Sequence, residues 1–171
     1  MRPATFLQPI ASTDAAEFLA AVVRSRKLHR PWVSPPETRK AFRALVQRSQ
    51  EPANYACLVR RSDTGEIAGI VNITNIVRGV FRSAYLGYYA FAGHDRQGLM
   101  RAGLAQAVRL AFSELKLHRL EANIQPGNAA SIALVRSCGF TKEGFSPRYL
   151  KIGGRWRDHE RWAILADRPP R

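Results

Sequence analysis

The sequence is poor in cysteine and in long apolar runs, and both scarcities exclude classes of protein. Its two cysteines, Cys57 and Cys138, have neither metal-ligand spacing nor a histidine partner nearby, so we predict small buried thiols and no metal site. At 171 residues the chain can bury a core without disulfides, and we expect one domain over residues 1–171. No stretch approaches the roughly 20 apolar residues of a membrane span, and MRPATFLQPI lacks the apolar core of a secretion signal. We therefore expect a cytoplasmic protein with no membrane partner.

Acidic residues are also scarce, because 27 Lys and Arg stand against 13 Asp and Glu, a formal net charge of +14. Such an excess is typical of proteins with an anionic partner, such as RNA, a phosphorylated cofactor or an acidic protein. The 22 arginines are spread along the chain, however, and a solvated basic surface explains that distribution almost as well. Contact with RNA or the ribosome is therefore one of two open interpretations.

The hydrophobic pattern predicts a mixed sheet with inserted helices. Period-two stretches indicate strands over residues 5–7, 54–60, 66–73, 83–91, 118–124, 143–152 and 155–165. Helical spacing indicates four helices, over residues 12–26, 37–48, 99–115 and 128–139. The side chains predicted to face inward from the first two helices are Phe18, Leu19, Val22 and Val23, then Phe42, Leu45 and Val46.

The segment from His94 to Phe140 carries most of the chemistry. A turn ending in Gly98 leads into the helix at Leu99, and the first N–H groups and partial positive charge of a helix suit a phosphate. Gly98 would let the backbone approach such a ligand closely. Further along, Asn128 is placed to cap a second helix. A glycine before a helix is also an ordinary turn, so this motif alone does not decide the function.

Taken together, the motifs QGLM, HRLEANIQPGNAASIALVRSCGF and RYLKIGGRWRDHERWAI resemble those of the GCN5-related N-acetyltransferases (GNAT). The likeness is to the RimJ/RimL-like branch, which acetylates protein N-termini, and it is strongest over residues 84–164. It implies a single-domain α/β fold with about four helices. The implied sheet is mixed, mostly antiparallel, has about seven strands, and is splayed between the fourth and fifth. Acetyl-CoA would enter the gap as the acetyl donor.

The resemblance also implies positions for the cofactor. The pantetheine arm would pair with the backbone at Tyr89, Ala90 and Phe91. The pyrophosphate would lie on the amides of Arg96, Gln97, Gly98, Leu99 and Met100. Asn128 matches a family asparagine that contacts the cofactor. Ser131 matches a serine that lies near the cofactor sulfur and can protonate the departing thiolate.

Two positions depart from the family pattern. Arg96 stands where the phosphate loop usually has its first glycine. It can still donate its N–H if its φ is negative, and its guanidinium could add a charge-assisted bond to a phosphate. Its side chain could equally crowd the pyrophosphate, although we expect binding to be retained. Val135 stands where many members carry a tyrosine that acts as general acid, which shifts that role to Ser131 or to solvent.

The implied reaction is direct attack of a neutral amine on the thioester carbonyl. An α-amine has a pKa of roughly 8, against about 10.4 for lysine, so a strong base is not compulsory. Glu121 is the carboxylate to test first as a base, directly or through water, with an ion pair to an arginine as its alternative role. Trp32 is predicted to line the acceptor cleft, with core packing as its alternative. Asp158 and His159 are predicted to be structural.

The sequence therefore predicts an acetyl-CoA-dependent N-acetyltransferase acting on a primary amine. The favoured acceptor is the N-terminal α-amine of a protein or peptide, such as a ribosomal protein, and a small-molecule amine is the alternative. A non-catalytic acyl-CoA sensor and an RNA-binding module on the same fold are alternatives of another class. We expect a monomer or a homodimer.

Overall fold

Residues 4–167, the part of the chain that the computed structural model describes, form one seven-stranded sheet and five helices. The strands are β1 (Thr5–Pro9), β2 (Tyr55–Arg61), β3 (Ile67–Val77), β4 (Ser83–Ala90), β5 (Arg119–Ile124), β6 (Thr141–Ile152) and β7 (Arg155–Leu165). The helices are α1 (Ala15–Arg24), α2 (Arg26–His29), α3 (Arg39–Ser49), α4 (Leu99–Ser113) and α5 (Ala129–Ser137). All seven predicted strands are confirmed, and the four longer helices are the four predicted ones. None of the helices in this part of the chain has the length and apolar character needed to cross a membrane.

The sheet has the order β1-β2-β3-β4-β5-β7-β6 and is antiparallel except between β4 and β5. Those two strands run parallel and pair only from Ser83 to Tyr85 of β4, opposite Arg119 to Glu121 of β5. Beyond Tyr85 their edges are no longer bonded to each other. The predicted gap between the fourth and fifth strands is therefore confirmed.

Two hydrophobic layers hold the sheet, because successive strand residues point to opposite faces. One face packs against α4 and α5, through residues such as Leu104 and Val135. The other packs against α1 and α3, where the Phe18 and Phe42 rings lie 4.8 Å apart in the same buried cluster as Ile70. We call these the helix α4 face and the helix α1 face. Both cysteines are buried and free, as predicted.

The first predicted helix is interrupted at Ser25 instead of running on to Arg26. The Ser25 hydroxyl donates to the carbonyl oxygen of Ala21 at 2.6 Å and accepts the N–H of Ala92 at 2.8 Å. The side chain thereby ties the end of α1 to the residues that follow β4. The prediction that Val23 faces inward is wrong, since 53% of it is exposed. Val22 is buried, and Val23 lies about 100° further round the helix, on its exposed side.

The hairpin of β6 and β7 contains an irregular stretch over residues 146–150. Asp158 accepts the N–H of Arg148 at 2.7 Å and so holds that residue at a left-handed φ of 47°. The buried His159 ring lies 6.2 Å from the ring of Tyr149. These contacts support the predicted structural roles of Asp158 and His159.

Candidate active site

A cavity of about 490 Å³ lies where β4 and β5 separate. Its walls come from α2 and the loop that follows, the end of β4, the turn before α4, and the first turns of α4 and α5. Such a volume lies within the range of small-molecule and cofactor sites. The sequence elements that were predicted to hold a cofactor are therefore brought together at one place.

The turn before α4 presents an uncapped helix start to this cavity. Gly98 precedes the helix with a left-handed φ of 75°, and no side chain bonds to the exposed N–H groups there. The first bond inside the helix runs from the N–H of Ala102 to the Gly98 carbonyl oxygen, at 3.0 Å. The N–H groups of Leu99, Met100 and Arg101 therefore have no acceptor within the helix, and all three residues line the cavity. This polarity suits an anion.

Arg96 lines the same wall, but in a conformation that the sequence did not suggest. Its φ is 59°, so the condition of a negative φ, under which the sequence analysis expected its N–H to reach a phosphate, is not met. The turn needs left-handed residues at positions 93, 96 and 98, and only the middle one is not glycine. Gln97 does not line the cavity: its side chain donates to the Gly93 carbonyl oxygen at 2.8 Å and accepts from Arg61 at 3.0 Å.

The edge of β4 offers backbone groups to the gap at particular residues. Phe91 is buried in the core, and its N–H donates to the Ala68 carbonyl oxygen of β3 at 2.9 Å. Since backbone groups alternate between the two edges of a strand, those of Tyr88 and Ala90 are directed to the gap. Tyr89 and Ala90 line the cavity as well. The backbone groups of Tyr88 and the N–H of Ala90 are thus available to pantetheine, whereas the Ala90 carbonyl oxygen is bonded to His29 and the N–H of Phe91 to Ala68.

His29 is a cavity residue that the sequence analysis missed. Its Nε2 lies 2.8 Å from the Ala90 carbonyl oxygen and donates to it, and only 4% of the residue is exposed. Burial lowers the pKa of His29 while the bond to Ala90 opposes that shift, so the ring is neutral with its proton on Nε2. Together with Ser25, it ties the α1–α2 region to the end of β4. A lone histidine far from β4 in sequence carries no signal for this contact.

Trp32 reaches from the α2 side across the gap to the turn between β5 and α5. A Cβ added to Gly127 would lie 3.3 Å from the indole Cη2, so the ring edge packs directly on that glycine. Trp32 lines the cavity and is half-buried. The contact of Trp32 with the acceptor stays a prediction.

The start of α5 holds two hydroxyl groups together. Asn128 caps the helix, as predicted, and its Oδ1 accepts the N–H of Ser131 at 3.2 Å. The Ser131 Oγ lies 2.7 Å from the Tyr88 hydroxyl, so one of the two donates to the other. Burial raises the pKa of Tyr88, partly offset by this bond, and the phenol is therefore neutral. Sequence analysis missed Tyr88, although strand alternation places it, and not Tyr89, on the helix α4 face.

Glu121 does not line the cavity. Its carboxylate accepts from the Nε of Arg119 at 2.8 Å, and Arg119 also pairs with Glu143. It lies opposite Tyr85, at the last bonded pair before the gap. The contacts favour the ion-pair role that the sequence left open, and a role as general base stays a prediction.

Comparison with known proteins agrees with this architecture. The sequence matches the acetyltransferase (GNAT) domain family over residues 5–141. It is 30% identical, over 94% of the chain and 93% of the relative, to the Bacillus subtilis protein named "Probable N-acetyltransferase YjcK". The chain therefore belongs to the GNAT family and is an acetyltransferase.

It is also similar to enzymes of the ribosomal-protein branch, which confirms the predicted relationship and fold. It is 42% identical over 97 residues to the [Ribosomal protein uS5]-alanine N-acetyltransferase of Escherichia coli, a match that covers 57% of the chain and 50% of that relative. The Mycobacterium smegmatis RimJ structure in complex with CoA-disulfide has a TM-score of 0.88 at 28% identity, over 96% of this chain and 84% of that one. The Vibrio fischeri ribosomal-protein-S5-alanine acetyltransferase has a TM-score of 0.85 at 25% identity, over 100% and 98%.

Proposed function

We propose that this acetyltransferase binds acetyl-CoA in the cavity and transfers the acetyl group to the N-terminal α-amine of a protein or peptide. The observation that carries the proposal is a single arrangement. The cavity joins an uncapped helix start, the unpaired edge of β4 and the hydroxyl pair of Tyr88 and Ser131. These are an anion site, a site for extended amide groups and a proton donor.

The anion end suits the pyrophosphate of the donor. The free N–H groups of Leu99 and Met100 would bind its oxygens, and the guanidinium groups of Arg96 and Arg101 add positive charge at the cavity wall. The amides of a pantetheine arm would bond to backbone groups of Ala90 and Tyr88, which have no strand partner on that side. The thioester would then lie toward the hydroxyl pair.

The transfer forms a C–N bond and breaks the C–S bond of the thioester. The attacking α-amine is neutral in part near neutral pH, and after attack its extra proton passes to solvent. The departing thiolate takes a proton from the Ser131 hydroxyl, the phenol of Tyr88 donates a proton to Ser131, and solvent returns the proton to Tyr88. Asn128 positions Ser131 by holding its N–H. Tyr88 thus supplies the acid group that many family members provide with a tyrosine at the position of Val135.

The name of one relative favours the α-amine as the acceptor. The Escherichia coli relative is an alanine N-acetyltransferase for ribosomal protein uS5. Alanine has no side-chain nitrogen, so its acetylation within a protein falls on the α-amine of a chain terminus. We extend that acceptor class to this chain, and Trp32 is positioned to contact it.

A thiol-release assay with acetyl-CoA tests the proposal. We expect turnover on a peptide that begins with alanine and none on the same peptide with a blocked N-terminus and an internal lysine. Ser131→Ala and Tyr88→Phe should lower kcat by roughly 10²-fold, in the range for loss of a positioned acid. Ser113→Ala, an exposed helical serine, is the matched control and should keep wild-type kcat.

Two results contradict the proposal in different ways. Acetyl-CoA binding by calorimetry without turnover on any amine would identify a sensor. Absence of acetyl-CoA binding would favour an RNA-binding module on the same fold.

A further inference from the structure

The hairpin of β6 and β7 extends beyond the rest of the sheet. β7 pairs with β5 only as far as Glu160, which lies opposite Ile124 at the end of β5, so the part of β7 before Glu160 is bonded to β6 alone. Within residues 4–167, β6 is the outermost strand on that side of the sheet. Residues 147–158 therefore project as two paired strands with a turn at Gly153 and Gly154, and we call them the ribbon.

The ribbon leaves the sheet at the end where the gap lies. The last bonded pair of β4 and β5 is Tyr85 with Glu121, and β5 continues from there to Ile124, the level at which the ribbon begins. No residue of the ribbon lines the cavity of the candidate active site. A ligand on the ribbon would therefore lie near that end of the sheet and leave the cavity free.

The ribbon carries an excess of positive charge. Its cations are exposed, and none forms an ion pair within residues 4–167: Arg148, Lys151, Arg155 and Arg157. Its single carboxylate, on Asp158, accepts the backbone N–H of Arg148. Four cations against one carboxylate leave a formal charge of +3 on the ribbon, which favours an anionic partner.

An exposed tryptophan lies among these cations. Trp156 is 60% exposed, whereas Trp162 is buried and Trp32 is half-buried. It is in register with Lys151 on the facing strand, so the two side chains share one face of the ribbon, and Arg155 and Arg157 flank it in sequence. Cations beside an exposed aromatic ring are typical of sites for unpaired nucleic acid, where the cations bind phosphates and the ring stacks on a base.

The same features disfavour other partners. Two copies of the ribbon would bring like charges together, which opposes self-association. An acidic peptide would satisfy the cations but would bury the indole against charged side chains. Helix α3 also has exposed cations, such as Arg39 and Arg43, but its aromatic residue, Phe42, is buried and offers no stacking surface. Unpaired bases are common in the loops of RNA, so we take RNA as the partner.

We infer that the ribbon binds an unpaired stretch of RNA, with a base stacked on Trp156. Lys151 binds a neighbouring phosphate on the same face, and Arg155 and Arg157 bind phosphates at the edge of the ribbon. The inference goes beyond the proposed function and does not depend on it. RNA on the ribbon would hold the enzyme on an RNA-containing particle with the gap end of the sheet close to its surface.

The test measures the affinity of the whole chain for a fluorescein-labelled oligouridine by anisotropy at several salt concentrations. Trp156→Ala should weaken binding by about 5- to 100-fold, the effect of losing one stacked base, without changing the salt dependence. Trp156→Phe should restore most of the affinity. The double variant Lys151→Gln/Arg155→Gln should make the slope of log K against log salt shallower by about 1.4, the value for two phosphate contacts with a single strand.

Two controls accompany these variants. Arg39→Gln/Arg43→Gln removes the same charge from exposed positions of α3 and should keep the affinity within about twofold and the slope unchanged. Because Trp156 is exposed and lies outside the cavity walls, Trp156→Ala should keep the wild-type melting temperature and the wild-type kcat on a free alanine-starting peptide.

Four results would overturn the inference and leave the proposed function standing. The first is a wild type that does not bind oligouridine at low salt, and the second is an unchanged affinity in Trp156→Ala. Equal losses in the ribbon and α3 double variants would show a general basic surface. Competition by a polyglutamate peptide as strong as that by unlabelled oligouridine would show a site for an acidic protein. Conversely, oligouridine binding with the expected losses supports the ribbon even if no amine is acetylated.

Discussion

Replacing Arg96 by glycine should raise stability and weaken acetyl-CoA binding at the same time. The φ of 59° costs a non-glycine residue about 1–2 kcal/mol, and glycine adopts it freely. Glycine also gains freedom in the unfolded chain, which takes back about 0.5–1 kcal/mol. The net gain of about 0–1.5 kcal/mol corresponds to a rise in melting temperature of up to roughly 6 °C.

The same change removes a guanidinium from the wall where the pyrophosphate is proposed to bind. Loss of one charge-assisted bond weakens affinity by about 10- to 100-fold. Because the lost contact is between opposite charges, the affinity of the variant should also depend less on salt than that of wild type. Calorimetry with acetyl-CoA at two ionic strengths measures both effects, and Arg96→Lys should retain most of the salt dependence.

A matched control exists in the same chain. Arg82 is an exposed arginine with a left-handed φ of 41°, in the loop between β3 and β4 and outside the cavity walls. Arg82→Gly should give the same sign of stability change with unchanged acetyl-CoA affinity. Tighter binding by Arg96→Gly would refute the reasoning, since it would mean that the side chain crowds the phosphate. Equal affinity in wild type and variant would remove Arg96 from the site altogether.

Three further substitutions test other parts of the site. Asn128→Ala removes the α5 cap and should lower the free energy of unfolding by about 1 kcal/mol in urea titration. It should also lower kcat. A loss of stability without a loss of kcat would mean that Asn128 only caps the helix. His29→Phe leaves the Ala90 carbonyl oxygen without its donor and should raise KM for acetyl-CoA several-fold in steady-state assays, with kcat much less affected; a change in kcat alone would contradict the positioning role. Glu121→Gln should keep kcat within about threefold in the thiol-release assay, because the carboxylate is paired with Arg119; a loss of 10²-fold or more would make it the base.

The sheet, its gap and the helix caps could be predicted because each depends on local pattern. Asn128 before an amphipathic segment and a glycine just after it mark a helix by chemistry that acts within a few residues. The sequence did not indicate the features that tertiary contacts decide. The interruption at Ser25 depends on the N–H of Ala92, and the left-handed Arg96 depends on a turn built around it. Neither the hydrophobic periodicity of α1 nor the residue propensities of the turn indicate those partners.

The net charge of +14 has a different consequence for the acetyl donor and for the amine acceptor. An amine acceptor is itself a cation in solution, so the positive charge of the protein does not attract it over long distances. The donor carries phosphates, and Arg96 and Arg101 stand at the wall where they would bind. Positive charge at this wall thus serves the anionic donor by attraction, and this role does not require a nucleic acid.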